Sequence, residues 1–356
     1  MSKYNLRYPV SQKPLYKSSD NVQFTLSFPN EALAGKKRIS GLLDVYSTGT
    51  TRIASEKIYY DNLCGIHSFI GNVIVSCQTK GILENQIVYS RSVKMKNSAT
   101  KCLSQVVSDS KSLNELLCSD YTQTNLMMNQ QLPFSFEIDC CLNNVNDNTN
   151  IPYNKTGDIT IEFRIAQAFE ALFGSDMTNN VNFTLSNLAC EYFTVPLEKG
   201  TDKTYMLWSH QVKQPVNSVN TVLNIKIPAN ISRVSCSFLP ISKELTLPYN
   251  GLELEKPTGI YKLFYSFNDS TNAFITYPIE TQEDMLEHYL DSFIRMDDKH
   301  SGTLKKINDN KFFGVGLNFE EYVNMASSSF GLNILSKVQS SAPYYIYMCF
   351  TGLVEF

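Results

Sequence analysis

Residues 157–165 read GDITIEFRI, and the apolar side chains of this stretch occupy every second position. Ile159, Ile161, Phe163 and Ile165 are separated from one another by polar residues. Successive side chains of a β-strand point to opposite faces, so a period of two predicts one face on a core and the other towards solvent or a neighbour. The stretch therefore indicates a half-buried strand.

The same alternation recurs from one end of the chain to the other. It predicts further strands at residues 22–28, 134–140, 181–185, 223–227, 234–238, 332–334 and 344–350. Many short strands separated by turn-forming residues are typical of a β-sandwich or barrel. The fold class that the sequence predicts is all-β.

Helical signals are few and short. The clearest runs from Thr281 to about Ile294, where Thr281 is a helix cap and apolar residues from Met285 to Phe293 form one stripe. Weaker candidates are residues 108–117 and 166–173, the latter ended by Gly174. We expect these helices in loops that connect strands.

The length of 356 residues fits two β domains of about 150 to 200 residues each. A polar stretch at residues 197–204 predicts a linker and a boundary near residue 200. The first 20 residues are mildly basic and show no clear strand pattern, so residues 1–20 are expected to form an N-terminal arm. Residues 21–199 and 200–356 are then the first and second domains.

Charge and hydropathy limit the partners of the chain. The formal net charge is −3, and no block of Lys or Arg follows a phosphate backbone, so sequence-specific nucleic-acid binding is not expected. No stretch approaches the ~18 apolar residues of a transmembrane helix, and the start lacks the apolar run of a signal peptide. The nine scattered cysteines indicate free thiols in a reducing compartment.

A longer segment carries a resemblance to a known family. Residues 61–95 read DNLCGIHSFIGNVIVSCQTKGILENQIVYSRSVKM: a Gly-Ile-His-Ser-Phe start at Gly65, a strand at 73–75, a turn with Gly81, and Tyr89 at the beginning of the next loop. Three later segments follow in the matching order, at residues 157–174, 181–195 and 312–356. Together they resemble the double jelly-roll major capsid proteins of virophages, polintons and polinton-like viruses.

This resemblance implies two tandem eight-stranded jelly rolls with a few short helices in loops. It also implies a homotrimer that forms a pseudo-hexagonal capsomer and tiles an icosahedral virus shell. The partners would be other copies of the chain, neighbouring capsomers, and penton and minor capsid proteins. The protein would be located in the virion and assembled inside the host cell.

The sequence predicts a structural protein and not an enzyme, with no catalytic residue, no cofactor-binding residue, no metal ligand and no cofactor. The four histidines lie far apart and are expected to be structural: His67, His210, His288 and His300. The spacing Cys64-x-x-His67 lacks the second pair that a zinc site needs. The acidic residues Asp147, Asp297–Asp298 and Glu320–Glu321 match no metal or acid/base pattern.

Three local patterns have structural interpretations. Residues 143–150 lack the spacing of a calcium loop and are expected to form a solvated hairpin turn. Gly314-x-Gly316 is too short for a phosphate loop and indicates a strand or bulge that needs bare backbone. The adjacent Cys140 and Cys141 are expected on opposite faces of a strand.

Two other functions remain open at this point. One is a penton or minor capsid protein with a single jelly roll and an appended domain. The other is a glycan-binding or hydrolytic β-sandwich protein, which should show convergent carboxylates or exposed tryptophan. The chain has a single tryptophan, Trp208, and no such cluster in sequence.

Overall fold

The computed structural model of the chain describes residues 2–47, 58–61, 63–100, 131–143, 150–175, 177–197, 205–216, 220–226, 230–246, 248–257, 260–268, 277–279, 282–292, 313–324, 329–336 and 343–355. The strands of the first half are β1 (Lys3–Arg7), β2 (Tyr16–Lys17), β3 (Asn21–Leu26), β4 (Glu31–Ser47), β5 (Tyr59–Tyr60), β6 (Ile70–Cys77), β7 (Gly81–Gln86), β8 (Leu132–Glu137), β9 (Ile151–Pro152), β10 (Ile159–Ile165), β11 (Leu172–Phe173) and β12 (Val181–Pro196).

The second half continues the strand numbering. Its strands are β13 (Tyr205–Val216), β14 (Asn220–Lys226), β15 (Asn230–Pro240), β16 (Ile260–Asn268), β17 (Tyr277–Ile279), β18 (Gly314–Asn324), β19 (Ser329–Ser336) and β20 (Tyr344–Glu355). The helices are α1 (Tyr89–Thr100), α2 (Tyr153–Thr156), α3 (Ala168–Ala171) and α4 (Gln282–Asp291), with 3-10 turns at Gly65–Phe69 and Ile241–Lys243.

Each half is built from two facing sheets with the same strand order. In the second half the orders are β13-β20-β15-β18 and β14-β19-β16-β17. In the first half they are β1-β12-β4-β8 and β3-β10-β6-β7, with β2, β5, β9 and β11 as short additions. If the eight main strands of a half are counted along the chain, both halves read 1-8-3-6 in one sheet and 2-7-4-5 in the other.

This order is that of a jelly roll, in which two Greek keys place sequence-distant strands side by side. The prediction of two tandem eight-stranded jelly rolls is therefore confirmed. Because the order repeats, the second half is not an unrelated appended domain. The duplication is one of topology, since no repeat is visible in the residues.

The hydrophobic core lies between the two sheets of each half, as the alternation predicts. On β10, Ile159, Ile161, Phe163 and Ile165 are each at most 1% exposed. Their partners on β3 are buried to the same extent, with Leu26 opposite Ile159 and Phe24 opposite Ile161. Phe69 is fully buried against Phe183, with ring centroids 4.8 Å apart.

The N-terminal segment differs from the expected arm. Lys3–Arg7 is the first strand of a sheet and pairs antiparallel with β12, with Lys3 opposite Thr194 and Arg7 opposite Cys190. Tyr16 lies on β2, pairs with the same long strand and is 2% exposed. The prediction that this segment lacks a strand was wrong, because Tyr4 and Leu6 do alternate with polar residues.

Two helix predictions were also wrong in part. Tyr89 begins the 12-residue helix α1 rather than a loop. The helix expected at residues 166–173 is only the four-residue α3, capped reciprocally by Gln167 and Glu170, after which Leu172–Phe173 pairs with Tyr59–Tyr60. The predicted helix at residues 108–117 lies outside the described residues, as does Thr281, the predicted cap of α4.

Helix α4 packs on the outer face of the second jelly roll, at the place where β18 carries two glycines. A Cβ on Gly314 would come within 2.2 Å of the Tyr289 ring, and one on Gly316 within 2.3 Å of Ser292 Oγ. Both glycines are on β18, which confirms the prediction of a strand that needs bare backbone. Ser235 Oγ on the neighbouring β15 lies 2.9 Å from Ser292 Oγ.

The turn after β8 is buried rather than solvated at its start. Asn143 is 5% exposed, and its amide nitrogen donates to the carbonyl oxygens of Lys37 at 2.8 Å and Ile138 at 2.7 Å. Cys140 and Cys141 follow the strand instead of lying in it, and both are buried. The expectation that Asn143 is solvated was wrong, because its side chain fills the hydrogen-bonding capacity of two carbonyl groups in other segments. Residues 144–149, the rest of the expected turn, lie outside the described residues.

Candidate functional site

The best-supported candidate site is the seam at which the two jelly rolls meet. Here the seam means Glu84, Gln86, Arg91 and Lys94 of the first half with Ser209, Gln211, Asn250 and Tyr347 of the second. Strand β7 ends one sheet of the first jelly roll and β13 ends one sheet of the second. The two strands pair in parallel with Asn85 opposite His210, which joins the halves into one eight-stranded sheet.

Glu84 binds both halves at once. One carboxylate oxygen accepts hydrogen bonds from the Ser209 amide at 2.8 Å and the Ser209 hydroxyl at 2.7 Å. The other accepts from the amide of Cys141 at 2.7 Å. The side chain is 2% exposed, and this burial raises the pKa of Glu84, while the bonds from Ser209 and Cys141 oppose the rise.

A pair of buried glutamines extends this contact along the strands. The Gln211 amide nitrogen donates to the Gln86 side-chain oxygen at 3.2 Å, and the Gln211 oxygen accepts from the Val88 amide at 2.7 Å. Gln86 in turn donates to the carbonyl oxygen of Asp139 at 2.7 Å. Both glutamines are at most 3% exposed, so their bonding partners determine how the strands fit together.

Helix α1 belongs to the first half but bonds to the second. Arg91 donates to the carbonyl oxygens of Gly251 and of Glu253, the latter at 2.9 Å. Its guanidinium carbon lies 3.9 Å from the centre of the Tyr347 ring on β20. The planar guanidinium thus bonds a loop edge-on and stacks on an aromatic face at the same time.

A buried ion pair lies one turn further along the helix. Lys94 is bonded to Asp61, with side-chain exposures of 5% and 2%. Asp61 also accepts from the Leu63 and Cys64 amides at 3.0 and 3.1 Å, and from Asn250 of the second half at 2.7 Å. A buried ion pair is stable only when additional hydrogen bonds satisfy its remaining donors and acceptors, and the bonds to Asp61 do this for the carboxylate.

The histidines singled out in the sequence that the structure describes lie on different elements of the fold. His67 is 8% exposed and its Nδ1 lies 2.7 Å from the Tyr89 hydroxyl, whereas Cys64 donates to the carbonyl oxygen of Ser90. His210 lies on β13, where burial lowers its pKa, and His288 lies on α4. Glu320 and Glu321 lie on β18. His300, Asp147, Asp297 and Asp298 lie outside the described residues.

Within the described part of the chain, no three His, Cys, Asp or Glu side chains are grouped so as to hold a metal ion. The cysteines described there are free, and burial raises the pKa of the Cys190 thiol to about 12. No helix in the same part is long and apolar enough to cross a lipid bilayer. What the structure shows at the seam is a set of buried hydrogen bonds that connect the two halves.

The sequence-based predictions missed every seam residue. Glu84 and Gln86 lie on the same face of β7 and are opposite Val75 and Val73, which are fully buried core residues. Two polar side chains at alternate positions beside apolar partners are the signal that would have indicated a polar contact inside the sheet.

No protein-family model matches the sequence, and no curated protein matches it. Several solved structures, however, match the fold of the chain. The chain is similar to the Faustovirus major capsid protein with a TM-score of 0.64 and 10% identity, over 100% of this chain and 90% of that one. It is similar to the Sputnik virophage structure with a TM-score of 0.61 and 8% identity, over 100% and 86% of the two chains.

The mavirus major capsid protein gives a TM-score of 0.52 and 8% identity, over 99% of this chain and 88% of that one. Nearly the whole length of each chain is matched in all three cases. The shared fold is the double jelly roll, with strand orders that repeat between the two halves.

Proposed function

We propose that the chain is a viral major capsid protein whose copies form a homotrimeric, pseudo-hexagonal capsomer. The observation that carries this proposal is the repeated strand order of the two halves, 1-8-3-6 and 2-7-4-5. Three chains that each supply two barrels of one topology supply six similar barrels. A trimer can then imitate a hexagon and tile a flat facet by edge contacts between like units.

The seam gives this geometry its rigidity. A capsomer imitates six-fold symmetry only if the two barrels of each chain keep one orientation, since a hinge between them would distort the hexagon. Glu84, the Gln86–Gln211 pair and Arg91 restrain that orientation through buried bonds. The function is then shape and surface burial, without a chemical step.

The remaining features of the proposal follow from the capsomer. The two barrels would be separated near residue 200, the site of action would be the virion, and the partners would be neighbouring capsomers with penton and minor capsid proteins. The fold likeness to the Faustovirus and mavirus major capsid proteins supports this interpretation.

Native mass spectrometry of the purified full-length chain tests the stoichiometry. We expect a species with the mass of three chains that persists on dilution. A pentamer without any trimer would favour a penton protein instead. A monomer that binds specific sugars on a glycan array would favour the glycan-binding β-sandwich.

A further inference from the structure

A cavity, called the seam cavity below, lies where the two jelly rolls meet. It has a volume of about 90 Å³ and is lined by residues of both halves. The first half supplies Arg91 of α1, Arg164 at the end of β10 and Glu170 of α3. The second half supplies Glu244 and, on β20, Tyr347. Neither half would form this space alone.

The charge of Arg91 has no carboxylate partner in the part of the chain that the structure describes. The guanidinium donates to the carbonyl oxygens of Gly251 and Glu253, and its face lies on the Tyr347 ring. These contacts stabilise a cation but do not neutralise it. Arg91 is only 3% exposed, and a buried charge is costly without a counter-ion. The seam cavity is the space beside Arg91 in which a counter-ion fits.

The other charged side chains of the cavity are already paired. Arg164 lies 3.3 Å from the carboxylate of Glu170. Both carboxylate oxygens of Glu244 accept from Lys213, at 2.6 and 2.7 Å. Each of these pairs is neutral as a whole, so the charge that remains at the cavity is the single positive charge of Arg91. A ligand with one negative charge matches it.

The wall around Arg91 favours an anion in two further ways. Ser90 lines the cavity, and its hydroxyl has no hydrogen-bond partner among the residues that the structure describes. Ser90 and Arg91 also lie in the first turn of α1, where the backbone amides of a helix carry partial positive charge. A carboxylate accepts strong hydrogen bonds from a hydroxyl and a guanidinium at once.

The remaining wall of the cavity is apolar. Its apolar side chains are Ile87, Val88, Phe169, Leu245 and Leu252. Ile87 and Leu245 are 44% and 51% exposed, so they lie at the mouth. Leu245 has a φ of +57°, which is unfavourable for a residue with a Cβ, and such strain clusters at ligand sites. The volume of the cavity holds roughly six to nine water-sized groups, so the ligand has a small apolar body.

We propose that the seam cavity binds a small organic monocarboxylate. The carboxylate lies at Arg91 and Ser90, and the apolar body lies between Ile87 and Leu245. The proposal goes beyond the capsid function and does not depend on the trimer. Because Arg91 and Ile87 belong to the first half and Leu245 to the second, the bound ligand connects the two jelly rolls.

Ligand-observed NMR of the purified full-length chain tests this with benzoate as the probe, which is at the upper end of the size that fits. Benzamide is its neutral analogue of the same shape. We expect benzoate to bind with a dissociation constant of about 1 mM or lower. Benzamide should bind at least about tenfold more weakly, because it cannot neutralise Arg91. Equal binding of the two probes, or no binding of benzoate, would overturn the proposal.

A pair of matched variants locates the bound probe. Ile87→Trp fills the mouth of the cavity and leaves the bonding groups of Arg91 in place. Ile82→Trp is the control, since Ile82 is 66% exposed on β7 and is not a lining residue of the cavity. We expect benzoate to bind at least about tenfold more weakly to Ile87→Trp and unchanged to Ile82→Trp. Equal affinity of the two variants would mean that benzoate binds elsewhere, against the proposal.

Hydrogen exchange of the wild-type chain gives a measurement that does not depend on a variant. Saturating benzoate should slow exchange in residues 250–255, since a ligand that binds only the folded state stabilises the region it contacts. Benzamide at the same concentration should not. Benzoate binding without this protection would contradict a site that connects the two halves.

A last comparison identifies the source of the carboxylate. An acetylated tripeptide that ends in phenylalanine carries the same chemistry on a chain end. Binding of the peptide without binding of benzoate would make the cavity a docking site for a protein terminus, and the proposal would be wrong. Trimers that bind no benzoate would leave the capsid function intact, whereas benzoate binding by a chain that forms no trimer would support the cavity and contradict the capsomer.

Discussion

At the scale of single residues, Glu84 determines how tightly β7 and β13 are joined. Its two oxygens accept from the backbone amides of Ser209 and Cys141, which lie in different parts of the chain. In Glu84→Gln, one of these amides must face an NH2 group, so a buried donor is left without an acceptor. We expect the free energy of unfolding to fall by about 2 to 3 kcal/mol.

Chemical denaturation measures this loss, and hydrogen exchange locates it. The amides of Ser209 and Cys141 should exchange faster in Glu84→Gln than in the wild type. The matched control is Glu162→Gln on β10, where the carboxylate is only half-buried. Equal stability of the two variants, with slow exchange at Ser209, would mean that Glu84 does not fasten the seam.

Lys37 gives a prediction on pH. It is 2% exposed, its ammonium donates to the carbonyl oxygens of Gly35 at 2.7 Å and Leu142 at 3.0 Å, and burial lowers its pKa to about 8. The unfolded chain, with a lysine pKa of 10.5, binds more protons between these two values. The contribution of Lys37 to stability therefore rises with pH across this window, by up to about 3 kcal/mol.

The measurement is denaturant unfolding of the wild type and of Lys37→Met from about pH 7 to pH 10, followed by the fluorescence of the single tryptophan, Trp208. The wild type should gain stability relative to the variant as the pH rises. Lys226→Met, which removes an exposed lysine on β14, should give no such trend. A constant difference between the wild type and Lys37→Met would refute the buried, partly neutral lysine.

Individual core residues were predictable from the sequence, whereas buried polar residues were not. Apolar alternation correctly indicated Phe24, Ile161 and Phe163, because burial of an apolar side chain depends mainly on which face of a strand it occupies. Burial of Glu84 or Lys37 depends on partners 125 and 105 residues away, which no local pattern reveals.

At the scale of secondary structure, helix α1 belongs to the first jelly roll and bonds to the second through Arg91. Arg91→Lys should weaken this connection, because a lysine keeps the charge but cannot bond two carbonyls and stack on Tyr347 at once. We expect faster hydrogen exchange in residues 250–255 and a loss of about 1 to 3 kcal/mol in the free energy of unfolding.

Arg38→Lys is the matched control for this prediction. Arg38 forms a surface ion pair with Glu137 at 3.4 Å, and such pairs contribute about 0 to 1 kcal/mol. Its replacement should leave residues 250–255 unchanged. If Arg91→Lys and Arg38→Lys had the same small effect, the helix would not connect the two halves.

The strands were easier to predict than the helices, for a physical reason. Helix α1 buries Arg91, Lys94 and Asn97, so it lacks the apolar stripe by which a sequence indicates a helix. Strand β1 was missed because it is only five residues long, so Tyr4 and Leu6 are the two apolar residues that alternate in it. Both side chains are exposed and add nothing to the core. In both elements the stabilising contacts lie with distant parts of the fold, which for β1 is strand β12.

At the scale of the whole molecule, length and strand alternation already indicated two β units. The strand orders that make them jelly rolls were not visible in the sequence, because they join strands such as β1 and β12 that are nearly 190 residues apart. The resemblance to double jelly-roll proteins predicted two jelly rolls. The seam adds what no pattern indicated: buried hydrogen bonds that connect the barrels.

Electron microscopy of the purified full-length protein, with class averages of single particles, shows whether three chains form a pseudo-hexagonal capsomer. We expect particles with three-fold symmetry that show six barrels in a pseudo-hexagonal outline. Five-fold particles, or monomers in which two barrels vary in orientation, would contradict the proposed capsomer.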